Sequence, residues 1–455
     1  MKEKLFQDKY DEIHVPQEDV QKAIRSGIQK ASERSEFKKK IGRTRRFIIS
    51  TAAAFTLLSS SFLVPSVSHV LADVPLVGQL YSNFNDLVGR NLESQQLITQ
   101  LDKTASYKGI DVTITSAYYD GAVIGVTFDV SGDVKTDQEG RLSAFYEIFN
   151  GHESITESKE IVHLESTDKG YTGHVQVSYP KTNLPDTATF PLEFMRIGEE
   201  EGVWKFDVPI KQLPYEMITV DKERSNNEAN VKVHFDSIIA GKASTAINYT
   251  AAFPIEGKHD QVRIEAYDDQ GNEINISMDG IDLEKTKKDN QVIVKGRSII
   301  PQELKGKTEF IEIHPKVALS LDDQFVKLDQ QTPVDIITSR QNLSVTVEDM
   351  VVKGERFVID FQFNHGDNHN RHLTSFKNFA RNDVMLVKES EKNVYQKPIK
   401  HSVKVLDKDN LRFRSTFDIS DNFNIDDYVI RVNLGILSAN MPLELKPVKI
   451  NLNEQ

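Results

Sequence analysis

One β-hairpin pattern occurs three times in this chain of 455 residues. In the first copy, apolar residues alternate with polar ones on both sides of an Asp120-Gly121 turn: Ile110, Val112, Ile114, Ile124, Val126 and Phe128. Alternation with a period of two places the apolar side chains of a strand on one face, and aspartate followed by glycine favours a tight turn. The pattern therefore predicts a hairpin with one buried face.

The other copies begin 121 residues later, at Val231, and a further 112 residues on, at Leu343. Their apolar positions are Val231, Val233, Phe235, Ile247 and Tyr249 in the second copy, and Leu343, Val345, Val347, Phe357, Ile359 and Phe361 in the third. Each repeat is the size of one β-sandwich, about 100 residues. Short alternating strands fill the intervening segments, so we predict a mainly β fold of tandem immunoglobulin-like β-sandwiches.

Prolines mark the predicted boundaries between these sandwiches. Leu213-Pro214 and Thr332-Pro333 interrupt the strand pattern, which gives a first sandwich with linker helices over 65–213, a second over 214–332 and a third over 333–455. The linker pattern places four apolar residues on one helical face: Val77, Leu80, Phe84 and Leu87. Two late alternating segments are assigned to strands of the third sandwich: Tyr428, Ile430, Val432 and Leu434, then Val448, Ile450 and Leu452.

Residues 47–64 contain no charged side chain and directly follow a run of cations: Lys38, Lys39, Lys40, Arg43, Arg45 and Arg46. An uncharged segment of this length predicts a transmembrane helix, which needs roughly 17 to 25 mostly apolar residues. Basic flanks stay in the cytoplasm. We therefore predict a single-pass protein of the cell membrane, with residues 1–46 inside and the β-sandwiches outside.

Two alternatives compete with this transmembrane helix. A secretory signal peptide cleaved after Ala72, before Asp73, fits the small residues Val70 and Ala72, but such peptides begin with a much shorter basic region. A buried core helix would not have so one-sidedly basic a flank. The uncleaved anchor is the interpretation that the length of the N-terminal segment favours.

Charge and cysteine content narrow the function of the outer part. The formal net charge of the chain is −12. Residues 1–46 have a net charge of +5, so residues 47–455 have a net charge of −17. An acidic exterior disfavours direct binding of nucleic acid. The chain has no cysteine, which excludes disulfides, thiolate metal sites and a cysteine nucleophile.

The cytoplasmic segment contains one amphipathic helix pattern. Its apolar stripe is formed by Val20, Ile24, Ile28 and Ala31. Pro16 suits the first turn of this helix, and Glu18 and Asp19 favour its N-terminal end. A helix with one apolar stripe is covered either by the lipid surface or by a groove on another protein. Because Glu18, Asp19 and Glu33 are repelled by anionic lipid, we favour partner binding through the stripe.

No segment gives a strong catalytic or cofactor signal. His365, His369 and His372 could bind zinc or copper, but a polar loop after a strand is the simpler interpretation. The run from Asp268 to Asn272 lacks the acidic residue that closes a calcium loop, and it favours a hairpin turn. Trp204 in an alternating strand indicates core packing. We find no Gly-x-Ser-x-Gly motif, and we expect a protein that is not an enzyme and needs no cofactor.

Several short motifs together resemble a known family. These are Ile13-His14-Val15-Pro16, the segment from Ala23 to Ile28, the basic run with its single span, the segment from Val74 to Leu80, and the first hairpin. The layout is similar to Gram-positive membrane proteins described as negative effectors of extracytoplasmic-function sigma factors, which are anti-sigma-factor-like and carry immunoglobulin-like outer domains. The resemblance covers residues 10–130 best.

The resemblance implies that the helix around Val20, Ile24 and Ile28 binds a sigma factor at the membrane, while the outer domains sense an unknown envelope ligand. The chain lacks the His/Cys zinc motif of better-understood anti-sigma factors. The alternative hypothesis is a membrane-tethered structural or adhesive β-domain protein with no regulatory role. An envelope hydrolase is a third and more distant hypothesis.

Overall fold

The computed structural model describes residues 80–137, 139–150, 153–154, 160–365, 373–394 and 399–453. The described part begins with two short helices, α1 (Leu80–Asn83) and α2 (Leu87–Ser94). The sequence predicts one helical face through Phe84 and Leu87, and this is wrong in detail because Asn85 adopts a left-handed φ of 56° and ends the first helix. Leu87 is 38% exposed, and Val88 and Leu92 form the buried face of α2 instead.

Nine strands follow the helices and form the first unit: β1 (Thr99–Tyr107), β2 (Ile110–Asp120), β3 (Val123–Gly132), β4 (Leu142–Asn150), β5 (Glu153–Ser154), β6 (Glu160–Thr167), β7 (Gly170–Ser178), β8 (Thr187–Ile197) and β9 (Glu200–Lys211). Their order is β1-β2-β3-β7-β6-β4-β8-β9, with β5 paired to β4. The first part of β6 pairs with β4, and its last three residues pair with β7. The two halves of the sheet thereby enclose one apolar core, which contains the fully buried Trp204.

The second unit begins with eight strands: β10 (Glu216–Asn226), β11 (Val231–Ala240), β12 (Thr245–Pro254), β13 (Gln261–Tyr267), β14 (Glu273–Ile274), β15 (Met278–Lys288), β16 (Gln291–Ile300) and β17 (Phe310–Ala318). One sheet has the order β10-β11-β12-β16-β15, and a second sheet contains β14, β13 and β17. Apolar residues of both sheets form a single core between them.

The third unit combines two sheets with two helices. Its elements are β18 (Gln324–Lys327), β19 (Val334–Ile337), β20 (Leu343–Lys353), β21 (Arg356–His365), α3 (Leu373–Asn382), β22 (Val384–Lys388), β23 (His401–Asp407), β24 (Arg412–Asp418), β25 (Tyr428–Val432) and α4 (Leu434–Asn440). The sheets have the orders β19-β20-β21-β24-β23 and β18-β25-β22. The predicted strand through Leu434 is wrong at its end, because Asn433 caps α4 through its side chain and Leu434 is helical.

The chain then returns to the second unit. Strands β26 (Leu443–Glu444) and β27 (Val448–Asn451) both pair with β17, and Val448 and Ile450 lie in the core of the second unit. Assigning Val448, Ile450 and Leu452 to the third sandwich is therefore wrong. Strand β18, which precedes Pro333, pairs with β25 of the third unit. The third unit is thus inserted into the second between β17 and β26.

The three predicted hairpins are confirmed, and they share an irregularity that the sequence did not indicate. The register shifts after Ile114 in β2, after Phe235 in β11 and after Val347 in β20. These residues lie at the same position of each repeat. A β-bulge at one position in all three copies increases the local twist in the same place. The mainly β fold with several sheets is confirmed as well.

Candidate functional site: a buried carboxylate under two helices

Asp86 joins the two helices to the first unit. It is the N-cap of α2, and its Oδ1 accepts a hydrogen bond of 2.8 Å from the backbone N–H of Gly89. Glycine is required at position 89 because a Cβ atom there would lie 2.1 Å from Cδ1 of Tyr81. The close approach lets the Tyr81 ring pack against the first turn of α2. The cap and this contact together fix the angle between α1 and α2.

The Asp86 carboxylate is buried, with 1% of its side chain exposed, and the first sheet supplies its other donors. The hydroxyl of Tyr118 on β2 donates to Oδ2 at 2.8 Å, and Nε2 of Gln176 on β7 donates to Oδ1 at 2.6 Å. A buried carboxylate is tolerated only when such donors replace water. We call Asp86, Tyr118, His174 and Gln176 the Asp86 cluster.

His174 completes the cluster without a well-formed hydrogen bond to the carboxylate. Its Nε2 lies 3.0 Å from Oδ2 of Asp86 but forms no hydrogen bond with it. The imidazole ring is instead fixed by aromatic contacts, since Phe84 stacks on it at 5.4 Å and Tyr81 meets it edge-on at 5.7 Å. Burial, with the nearby Asp86 charge, raises the pKa of Tyr118 well above its usual value.

The geometry suits docking better than chemistry. The side chains of Asp86 and His174 are 1% and 7% exposed, so a reacting molecule would have no path to them. The hydroxyl of Tyr81 also has a hydrogen-bond partner, because it lies 2.6 Å from Oγ of Ser116. The side chains of Tyr81 and Asp86 thus meet polar partners on β2 and β7. The cluster holds α1 and α2 on the first unit.

The second unit binds the end of β2 at Asp120. Asp120, at the tip of the first hairpin, is fully buried and accepts hydrogen bonds from the N–H groups of Lys242 (2.7 Å) and Ala243 (2.9 Å). The hydroxyl of Ser244 donates to the same carboxylate at 2.8 Å. Burial raises the pKa of Asp120, and these hydrogen bonds oppose the rise. Gly241 is needed here, since a Cβ would lie 2.7 Å from Asp120.

Arg297 forms a second link between the first and second units. It is fully buried in β16, where Nε donates to Oδ1 of Asn248 at 2.8 Å. Its Nη1 donates across the joint to the carbonyl of Tyr179 at 2.8 Å. Burial lowers the pKa of Arg297 to about 10. We call the contacts of Asp120 and Arg297 the first joint.

Apolar side chains from the helices, the first unit and the second unit meet at this joint in one continuous cluster. Its buried members are Tyr81, Val88, Leu92, Tyr118, Ala122, Val123, Leu184, Ile239, Ala243, Ala246 and Ile299. A cluster built from three parts of the chain loses buried area if any one of them moves away. The helices are therefore packed against a surface that both units complete.

A buried ion pair links the second and third units. Arg340 donates to both carboxylate oxygens of Asp260, at 3.1 and 2.6 Å, and the two side chains are 8% and 0% exposed. The N–H of Ser320 also donates to Asp260, at 2.8 Å. Nearby, the Ser438 hydroxyl on α4 accepts from the N–H of Leu319 at 3.0 Å. The contacts of Leu319, Ser320 and Ser438 lie close to where the chain passes from the second unit to the third and back.

The site residues predicted from the sequence lie mostly outside the described part of the chain. This holds for the inner stripe of Val20, Ile24, Ile28 and Ala31, for the span 47–64, and for His369 and His372; His365 ends β21. Among the described residues, no group of three potential metal-ligating side chains occurs. From Leu80 onward, no described helix is long and apolar enough to cross a membrane.

Two predictions on lesser motifs are confirmed. Trp204 is a core residue whose Nε1 donates to the carbonyl of Ile110 at 3.0 Å. Asp268 forms a turn between β13 and β14, accepting from the N–H groups of Gln270 and Asn272. The Asp86 cluster was missed, although an aspartate directly before an apolar helical pattern is an N-cap signal. No local signal could have identified Arg297, because its partner across the joint is more than 100 residues away.

Two family models match parts of the chain. Residues 38–132 match a domain of unknown function, DUF4179, and residues 215–347 match a family of unknown function, DUF5643. The first match runs from the basic segment through α1, α2 and the first hairpin. The second begins just before β10 and ends within β20. The chain matches no curated protein.

Similar solved structures include a conserved domain protein from Bacillus anthracis. It has 18% identity and a TM-score of 0.39, and the match covers 52% of this chain and 84% of that one. A marsupial T cell receptor matches at 10% identity and a TM-score of 0.12, over 48% of this chain and 92% of the receptor chain. A mutant of Salmonella alpha-2-macroglobulin matches at 8% identity and a TM-score of 0.16, over 77% of this chain and 22% of that one.

Proposed function

We propose that this chain is a single-pass membrane regulator whose inner helix binds an extracytoplasmic-function sigma factor and whose immunoglobulin-like outer units respond to the cell envelope. The observation that carries the proposal is the run of cations before the uncharged residues 47–64, because it divides a basic segment of 46 residues from an acidic remainder. The family match over 38–132 includes this division and continues into the Asp86 cluster.

The outer part supports a role in sensing through its connections. Asp120 and Arg297 join the first unit to the second, and Asp260 and Arg340 join the second to the third. Charged groups that are buried at each joint tie neighbouring units together in a defined geometry. Joints of defined geometry would let a change in one outer unit reach the next, so we favour the regulator over the tethered structural protein.

The inner helix gives the decisive experiment. In the full-length chain in its membrane, Ile24→Asp and Ile28→Asp together place two charges in the apolar stripe and should abolish recovery of a sigma factor with the protein. The matched control, Ser26→Asp with Gln29→Asp, adds the same charge on the opposite side of the predicted helix and should retain it. Transcription from promoters of that sigma factor should rise only in the first variant.

Equal capture by both variants, or capture of no sigma factor by the parent chain, would remove the basis of the regulator. In the second case the tethered structural protein becomes the better description. Epitope tags at the two ends, tested for protease protection in intact cells, check the topology separately.

A further inference from the structure

We propose that the second unit controls the docking of the α1–α2 pair, and that the end of β2 is the relay between them. The physiological meaning of this relay rests on the proposed function, because it would connect the outer units to the membrane segment. The coupling itself depends only on contacts within the described residues.

The helix pair and the second unit bind β2 at positions only two residues apart. The Tyr118 hydroxyl donates to Asp86 of the helix pair. Two residues later, the Asp120 carboxylate accepts from Lys242, Ala243 and Ser244 of the second unit. Between them, the carbonyl of Tyr119 accepts from the N–H of Leu213, in the connection between the two units. Three consecutive residues are therefore bonded to the helices, the connection and the second unit.

Water cannot replace the hydrogen bonds at either of these two positions, because the residues that form them are buried. Tyr118 is 2% exposed, and Asp86 and Asp120 are 4% and 0% exposed as whole residues. If Asp120 loses its donors, its buried carboxylate must reach water, which requires the end of β2 to move. Such a movement displaces the Tyr118 hydroxyl from Asp86 and leaves a second buried carboxylate short of a donor. Opening of the joint and undocking of the helices thus favour each other.

The helices and the second unit also share one apolar cluster. Val88 and Leu92 of α2 belong to the same cluster as Ile239, Ala243, Ala246 and Ile299 of the second unit. Separation of the second unit removes part of the surface that completes this cluster. The helices then lose packing as well as a hydrogen bond, so the polar and apolar contacts act in the same direction.

The absence of cysteine from the chain makes the coupling measurable. Val88→Cys replaces two methyl groups by one thiol at a helix residue that is 1% exposed, and Ala243→Cys adds one thiol at a second-unit residue that is also 1% exposed. Each substitution, made separately, provides a unique thiol in the full-length protein. The rate of alkylation at constant pH reports undocking of the helices in the V88C protein and opening of the first joint in the A243C protein.

Asp120→Asn, which weakens the joint, should raise the alkylation rate at position 88 about tenfold although Asp120 does not contact α2. The matched control is Asp268→Asn, since Asp268 also accepts from turn N–H groups but lies within the second unit. It should leave the rate at position 88 unchanged. Because coupling is reciprocal, Asp86→Asn should raise the rate at position 243 by a similar factor.

Asp120→Asn alone could leave the joint closed. A double variant, Arg297→Gln with Asp120→Asn, therefore alters both polar links of the joint. If the thiol at position 243 becomes reactive in this background while the thiol at position 88 stays protected, the joint opens without undocking the helices and the relay is overturned. If the thiol at position 243 also stays protected, these contacts do not hold the joint, and the proposal is equally wrong. Both rates are independent of sigma-factor binding, so failure here is distinct from failure of the proposed function.

Discussion

At the scale of single residues, the three units contain buried carboxylates that differ in whether a cation or neutral donors surround them. Asp260 has a guanidinium partner, whereas Asp86 and Asp120 are held mainly by neutral donors. A carboxylate in neutral surroundings depends on each donor, because the loss of one leaves a buried charge that water cannot reach. The donors around Asp86 and Asp120 are therefore the contacts most sensitive to substitution.

Asp86→Ala should destabilise the first unit by about 2–4 kcal/mol, because it removes the cap of α2 and leaves the donors of Tyr118 and Gln176 without their acceptor. Urea unfolding followed by the fluorescence of Trp204 measures this, since the chain's single tryptophan lies in the first core. Asp111→Ala, at an exposed position of β2, is the control and should change the unfolding free energy little. Equal effects of the two substitutions would contradict the role of the cluster.

Asp383 in the third unit predicts a dependence of stability on pH. Burial and the neighbouring Asp323 raise its pKa from 3.8 to about 6. The folded state therefore binds this proton more tightly than the unfolded state, so the contribution of this group to stability is greatest below pH 3.8 and is lost as the pH rises to 6. The position also follows the C-terminal end of α3, where negative charge is unfavourable.

Asp383→Asn should accordingly stabilise the third unit at pH 7 by about 1 kcal/mol, a value reduced for the partial exposure of the group. At about pH 4 the gain should nearly vanish, because the folded-state carboxyl is then already neutral. Calorimetric unfolding of the full-length chain at the two pH values tests this, with the exposed Asp418→Asn as control. A gain that is the same at both pH values would show that the charge of Asp383 is not its cause.

At the scale of elements, local patterns were sufficient for some features and not for others. The hairpins of β2–β3, β11–β12 and β20–β21 were predicted correctly because the alternation and the turn lie within about 25 consecutive residues. The break at Asn85 was missed because helical periodicity does not report a left-handed residue, although asparagine adopts this conformation more readily than most residues. The common bulges were missed because a register shift depends on the partner strand.

The pairing of β27 shows most clearly what a local pattern leaves open. Alternation in Val448, Ile450 and Leu452 identifies a strand with one buried face, but it says nothing about which sheet receives it. The structure pairs β27 with β17, more than 100 residues earlier, across the whole third unit. Arg224 on β10 adds to this attachment by donating to the carbonyls of Lys446 and Pro447.

Ile450→Ala should therefore destabilise the second unit and not the third, by about 2–4 kcal/mol, because it leaves a cavity in the core between the two sheets of the second unit. Hydrogen exchange should accelerate in β11, β12 and β13, while β20 and β21 remain protected. Ile436→Ala, at a position of α4 that is 41% exposed, serves as a control with little expected effect. Faster exchange confined to β20 and β21 would indicate that β27 belongs to the third unit.

At the scale of the whole molecule, the third unit is an insertion with its own core, and this organisation determines how the chain can be divided. The second core contains Val448 and Ile450 but none of the described residues between 322 and 442. The third core lies entirely between Leu321 and Met441. The two crossings of the chain are close together, since Val317 pairs with Leu443.

We expect that replacing residues 320–441 by a short turn leaves the first and second units folded. Asp260→Asn should accompany this excision, because removal of Arg340 would leave a buried charge unpaired, at a cost of about 3–5 kcal/mol. The comparison is a chain truncated after Gln331. It keeps residues 320–331, which the excision removes, but it lacks β26 and β27, so β17 is uncovered. The excised protein should therefore unfold cooperatively and retain exchange protection in β11–β17, whereas the truncated protein should lose it. The reverse result would mean that the second unit folds without its C-terminal strands.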